Sequence, residues 1–191
     1  MSNVEEVGEF RFGLGHRVLE FVATLAGRHR EPVERLATPD DLSRWLRLSG
    51  LVPAAPCTEK DLSQARQLRE AVYRLLEAVR SDRSATSEDI DLVNAWARRA
   101  KSAPQLDASL RLYREAPNPC TASLAELAAA AVDLITSPEL DRVRNCADPT
   151  CSLMFIDRSR PGRRRWCSME RCGNRAKTAR YRRQHPHAAS Q

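Results

Sequence analysis

The chain of 191 residues contains no run of about twenty apolar residues, so its sequence predicts no membrane-spanning helix. Its start, MSNVEEVGEF, lacks the basic and apolar regions of an export signal, and a cytoplasmic protein is expected. Enzyme signatures are missing as well: there is no phosphate-binding glycine loop, no G-x-S-x-G and no H-E-x-x-H, and no catalysis is expected. Internal repeats and low-complexity tracts are lacking too. Other shortages are local. Between Arg142 and Arg183 there are three acids, Asp148, Asp157 and Glu170, one lysine, Lys177, and twelve arginines. That segment carries a net +10 in a chain of net +6, so the remainder is acidic at −4. Such asymmetry points to a polyanionic partner.

What the same segment does have is cysteine. Cys146 and Cys151 stand as C-x4-C, and after fifteen intervening residues Cys167 and Cys172 repeat the spacing. Two such pairs can close a tetrahedral site, and four thiolates leave no open position for catalysis. One structural zinc is expected, favoured over a rubredoxin-type iron. Three disulfides are disfavoured because no export signal precedes them. Cys57 and Cys120, far apart in the acidic part, read as plain thiols. His185 and His187 lie in a polar tail and are read as solvated rather than as ligands.

Between the knuckles, SLMFIDRS and RRRWCS suggest a hairpin turning at Ser159-Arg160-Pro161-Gly162, with a helix from about Cys172. That order is treble-clef-like. Phe155, Trp166, Met154 and Tyr181 make a core too small to hold the module without metal. Arginine over lysine suits bidentate phosphate binding and guanine readout. The candidate nucleic-acid contacts are Arg163, Arg164, Arg165, Arg175, Lys177, Arg180, Arg182 and Arg183. For Arg175 a brace across the knuckles is an equal alternative. Allowing −2 for four thiolates on Zn²⁺ leaves the module at about +8.

The remainder reads as mainly helical, with enough residues for its own core. Phe10 to Leu25 suggests an extended start and a short first helix. Thr38-Pro39-Asp40-Asp41 opens a helix that ends before Gly50. A loop follows at Pro53 to Pro56. Thr58-x-x-Asp61 opens the longest helix, about residues 59 to 80, with Leu62, Ala65, Leu68, Val72, Leu75, Leu76 and Val79 on its apolar face. The next helix places Ile90, Val93 and Ala97 inside. Leu106, Ala108, Leu110 and Leu112 alternate and suggest a minor strand. Residues 121 to 136 form a last buried helix. His16 and Glu20, spaced i, i+4, read as a surface pair; Trp45, Trp96 and Tyr73 read as core rather than as a ligand box. The expected domains are residues 1–137, mainly helical, and 138–184, the zinc module, with 185–191 a disordered tail.

Cys172-Gly173-Asn174-Arg175, preceded by RRRWCSMER and followed by AKTARYRR, resembles the CGNR zinc-finger family, and CADPTCSLMFIDRS resembles that family's first knuckle. FRFGLGHRVLEFVATL, LATPDDLSRWL and ARQLREAVYRLL resemble the ABATE domain that precedes this finger in stress-induced transcription regulators of bacteria. Glu20 and Ala23 depart from that domain's LDFVNT-like pattern. The resemblance implies a regulator that binds double-stranded DNA through its finger. The N-terminal domain would be a sensor of a small-molecule effector or a homodimerisation domain. Two other readings fit the same charge and metal: an RNA- or ribosome-associated factor, and a protein-interaction module whose zinc is purely structural. The finger's few aromatics favour duplex DNA over stacked single strands.

Overall fold

A computed structural model describes residues 6–7, 10–51 and 56–185. In chain order its elements are β1 (Glu6–Val7), β2 (Phe10–Arg11), α1 (Arg17–Val22), β3 (Leu25–Ala26), β4 (Val33–Glu34), α2 (Pro39–Leu48), α3 (Glu59–Arg80), α4 (Ser87–Ala97), β5 (Ala103–Leu106), β6 (Leu112–Glu115), α5 (Pro119–Thr136), β7 (Val143–Asn145), β8 (Met154–Ile156) and α6 (Asn174–Gln184). Among the described residues the strands form four two-stranded sheets, β1–β2, β3–β4, β5–β6 and β7–β8. The chain is mainly helical, as its sequence leads one to expect. The anticipated loop at residues 53–56 lies, save for Pro56, outside the described residues, as does the tail beyond His185.

Two compact units emerge, and one of them is not contiguous in sequence. Among the described residues, those up to Val33 cluster with those from Arg142 onward, and those between Glu34 and Asp141 form the second unit. The sequence division at Ser137 lies close to the second junction. The first junction, at Val33, has no counterpart in it.

The second unit is built on α3, which packs against α2, α4 and α5. Thr58 and Asp61 form a reciprocal capping box at its start, and Thr38 and Asp41 do the same for α2. At the end of α2, Gly50 has φ +68°, Gly50 N–H reaches Arg47 O at 3.1 Å and Leu51 N–H reaches Leu46 O at 3.1 Å. This Schellman arrangement needs a left-handed residue, which glycine supplies without strain. Leu62, Ala65, Leu68, Val72, Leu75 and Leu76 are buried along α3. Val79 and Ile90 are instead exposed, at the last turn of α3 and the first turn of α4. Trp45 and Trp96 are core residues. Arg69 is buried too, held bidentately by Glu34 at 2.6 and 2.7 Å and by Glu70 at 2.8 Å. By length and composition α5 could cross a membrane, yet nine of its residues are buried in this unit, as in a core helix.

The strand expected at 106–112 is a turn. Ala103–Leu106 pairs antiparallel with Leu112–Glu115, and the residues between reverse the chain. Asp107 explains the reversal: its Oδ1 accepts Ser109 N–H at 2.8 Å and Arg111 N–H at 2.9 Å. Leu110 takes φ +58° there. The alternating leucines face solvent instead of a core.

In the first unit, β7 and β8 form an antiparallel pair whose connection is the first cysteine knuckle. Ile156 N–H donates to Leu14 O at 2.9 Å, and Arg28 N–H donates to Ser152 Oγ at 3.2 Å. Gly15, at φ +92°, lies against Ile156, where an added Cβ would come within 3.0 Å of Ile156 Cβ. The N-terminal residues therefore supply the apolar bulk that the metal module lacks. Phe10, Leu14, Val18, Leu19, Phe21 and Val22 are buried in the same unit as Leu153, Met154, Phe155 and Ile156.

Candidate metal centre and basic surface

Cys146 closes the turn after β7, and Cys151 stands three residues before β8. Two backbone bonds fix them: Cys146 N–H to Leu153 O at 2.9 Å and Cys151 N–H to Asp148 O at 2.9 Å. Cys167 precedes a single π turn, Met169–Gly173, which carries Cys172 and leads into α6. The four sulfurs lie within 4.8 Å of one another. Cys151–Cys167 and Cys167–Cys172 are each separated by 3.7 Å. Zn–S bonds of about 2.3 Å in a tetrahedron require sulfur edges of about 3.8 Å. The set therefore has the size of a zinc shell. Hydrogen bonds from Cys151, Cys167 and Cys172 pull the Cys146 thiol down, while Cys146 pushes Cys167 up. Four thiolates so close together repel strongly unless a cation lies among them.

Around the cluster the side chains brace it. Asp148 is buried; its Oδ1 accepts from Thr150 N–H at 2.9 Å and Thr150 Oγ1 at 2.7 Å, and its Oδ2 lies 3.1 Å from Arg175 Nε. Arg175 Nη1 also donates to Thr150 Oγ1 at 2.6 Å. The arginine of CGNR thus clamps the second knuckle's helix to the first knuckle. Ala147 N–H donates to Arg165 O at 2.8 Å and ties the two knuckles again. Arg164 is equally committed: Nε donates to Trp166 O at 2.8 Å, Nη2 donates to Cys167 O, and its guanidinium lies 4.7 Å from the Phe155 ring centroid.

The hairpin is present, but not where the sequence suggests. Val143–Asn145, not RRRWCS, pairs with Met154–Ile156. The cause is Asp157, which accepts Ser159 N–H at 2.9 Å, Ser159 Oγ at 2.6 Å and Arg164 N–H at 2.8 Å. These bonds hold residues 157–164 in a side-chain-stapled loop instead of a ladder. Burial pushes Asp157 up, but the Ser159 and Arg164 bonds outweigh it and hold the carboxyl below its ordinary value. Asn174 does not cap α6 with its oxygen. It lies inside the helix, and its Nδ2 donates to Glu170 O at 2.9 Å. Tyr181 is 56 % exposed, outside the core expected for it, and stacks on His185 with ring centroids 4.4 Å apart.

His16 and Glu20 each serve the backbone. His16 Nδ1 caps α1 by accepting Val18 N–H at 3.3 Å. Glu20 Oε1 accepts Gly13 N–H at 2.8 Å and Leu14 N–H at 3.3 Å. Burial raises the Glu20 carboxyl above its ordinary value, against those two bonds and the charge of Arg17. Asp148 and Asp157 enter the sequence reading only as two of the segment's three acids. Their signal was available in D-x-T and D-x-S, the spacing of side-chain-to-backbone turns.

Of the eight basic residues proposed to touch nucleic acid, Arg163, Arg165, Arg175, Lys177, Arg180, Arg182 and Arg183 are exposed, and Arg164 is partly so. No residue of α6 is buried.

A family model described as "Putative stress-induced transcription regulator", ABATE, matches residues 15–138, and the CGNR zinc-finger model matches residues 142–185. No curated protein matches the chain. The CGNR match and the four-cysteine cluster together support one structural zinc ion.

Proposed function

From a chain that belongs to the ABATE family and carries a CGNR zinc finger, we propose a transcription regulator of the cytoplasm, not an enzyme, whose finger grips double-stranded DNA. One observation carries the reading: α6 leaves the metal cluster with no buried residue and bears Lys177, Arg180, Arg182 and Arg183 in solvent. A helix without a packed face, rich in one sign of charge, suits a groove lined by phosphates. Arg163 and Arg165 on the stapled loop add to it. Arg164 and Arg175 make their hydrogen bonds to the knuckles and serve the fold before the ligand. The zinc, held by Cys146, Cys151, Cys167 and Cys172, is structural in this reading. The helical part serves as a sensor of a small-molecule effector or as a homodimer contact.

Salt titration of duplex binding tests the proposal. With the six outward residues on phosphates, log K should fall against log salt with a slope of about −0.9 per contact. Arg182→Ala should shrink that slope by about one unit. Salt-insensitive binding would favour a protein-interaction module instead.

A second reading has its own support. Exposed Tyr181, stacked on His185 beside four basic residues, offers a platform for an unpaired base, as RNA-associated proteins use. Tyr181→Ala separates the two: a loss of tenfold or more confined to single-stranded RNA favours the RNA reading, and an equal, small effect on all nucleic acids favours duplex DNA.

A further inference from the structure

Cys57 and Cys120 are 63 residues apart in sequence, and the fold of the second unit brings their sulfurs to 2.9 Å. Both thiols are free, and they are 8 % and 5 % exposed. Cys57 occupies the residue before Thr58, the N-cap of α3; Cys120 is the second residue of α5. Their positions are anchored from outside the pair. Cys57 N–H donates to Ser43 Oγ at 2.9 Å, and Ser43 Oγ donates in turn to Pro39 O at 3.0 Å in α2. The Cys120 turn is set by Asn118, whose Oδ1 accepts Thr121 N–H at 2.9 Å. The sulfurs are less than about 1 Å beyond the length of a disulfide bond. Neither thiol belongs to the zinc cluster, and neither has a part in the nucleic-acid surface.

We propose that Cys57 and Cys120 are a redox site: a peroxide converts the pair into a reversible disulfide that fastens the start of α3 to the start of α5. The Cys57 thiolate attacks one oxygen of hydrogen peroxide, the O–O bond breaks, and the departing hydroxide takes a proton to leave as water. Cys57 is then a sulfenic acid. The Cys120 sulfur attacks the Cys57 sulfur and displaces hydroxide, which leaves as a second water with the Cys120 proton. Two thiols and one peroxide give one disulfide and two waters; sulfur is oxidised and peroxide oxygen is reduced. A dithiol reverses the step by exchange and is itself oxidised. Cys57 Sγ donates to Cys120 Sγ; once Cys57 gives up that proton, Cys120 can donate back to the thiolate, which makes Cys57 the attacker and Cys120 the resolver. Cys120 pulls the Cys57 thiol below its ordinary value, and the Cys120 thiol is pushed up in consequence.

The zinc-loaded full-length chain, treated with about one equivalent of hydrogen peroxide, tests this. Non-reducing peptide mapping should recover the segments around Cys57 and Cys120 joined in one species, two hydrogens lighter than the separate pair. Thiols counted in denaturant with chelator should fall from six to four, with zinc retained before denaturation. Dithiothreitol should restore all six. In Cys120→Ser, a carbon nucleophile of the dimedone type should label Cys57; in Cys57→Ser it should leave Cys120 unlabelled. If the zinc cysteines oxidise and release metal while Cys57 and Cys120 still alkylate, the proposal is overturned. Disulfides between chains overturn it as well. The mapping of the unsubstituted chain decides the matter even where a serine variant fails to fold.

Discussion

Glu20 is a carboxylate used as a backbone acceptor in a place that resists its charge. One oxygen, Oε1, takes both Gly13 and Leu14 N–H, and an amide oxygen can do the same. Glu20→Gln therefore keeps the loop and removes a half-buried charge. Glu20→Ala leaves two part-buried donors unmet and should cost about 1–3 kcal/mol. The pH dependence has a definite sign. Burial raises the folded carboxyl above its ordinary 4.5, so its favourable contribution is full below that value and disappears as pH rises through the folded pKa. Thermal melts of the glutamine variant should thus gain on the parent between about pH 4 and pH 7. Equal destabilisation by Gln and Ala at every pH would contradict this account. Arg175 makes a second residue-scale case. It spans Asp148 and Thr150 across the knuckles, so Arg175→Ala should hasten zinc transfer to a chelator by about 10–100-fold. Arg182→Ala, two turns further on, should leave that rate alone and weaken only nucleic-acid binding. The sequence left the role of Arg175 open, because both roles call for an exposed arginine at that place. Only the neighbouring Asp148 separates them.

At the scale of elements, legibility followed local hydrogen bonding. The capping boxes of α2 and α3 and Gly50 are local devices, and the helices they bound could be read to the residue or nearly so. The strand expected at 106–112 fails for the same reason in reverse. Apolar alternation there is real, but Asp107 bonds the backbone two and four residues ahead and forces a turn. Asp157 likewise ends β8 and leaves RRRWCS out of the sheet. In both places a side chain out-competes the ladder, and hydrophobic period carries no trace of that. Leucine truncation measures the difference. Leu68→Ala, at 0 % exposure on α3, should cost about 2–5 kcal/mol. Leu110→Ala, at 79 % exposure, should stay within about 0.5 kcal/mol of the parent in denaturant melts. A large loss at Leu110 would mean that the hairpin is covered by something.

For the whole molecule, what the sequence could not convey is that the metal unit is discontinuous. Two cysteine pairs and a basic stretch mark the finger wherever they occur, and a local reading assigns the finger to them alone. The bonds from Leu14 to Ile156 and from Arg28 to Ser152 span more than a hundred residues and leave no periodic signature. They make the N-terminal residues 10–33 part of what zinc organises. Removing the metal takes away the folding energy of a small centre. Hydrogen exchange after chelation should therefore collapse in 142–185 and also in 10–33, where Phe10, Leu14, Val18 and Phe21 lose Phe155 and Ile156 as partners in one buried set. Protection should persist in 34–141, whose helices pack on α3 without the metal. Division at Ser137 instead has 10–33 protected along with α3. Retained protection at Leu19 and Phe21 in the metal-free chain would support that division and remove the N-terminal segment from the zinc unit. α6 should be the first element to melt: with eleven residues and none buried, it has little to hold it once Cys172 is released.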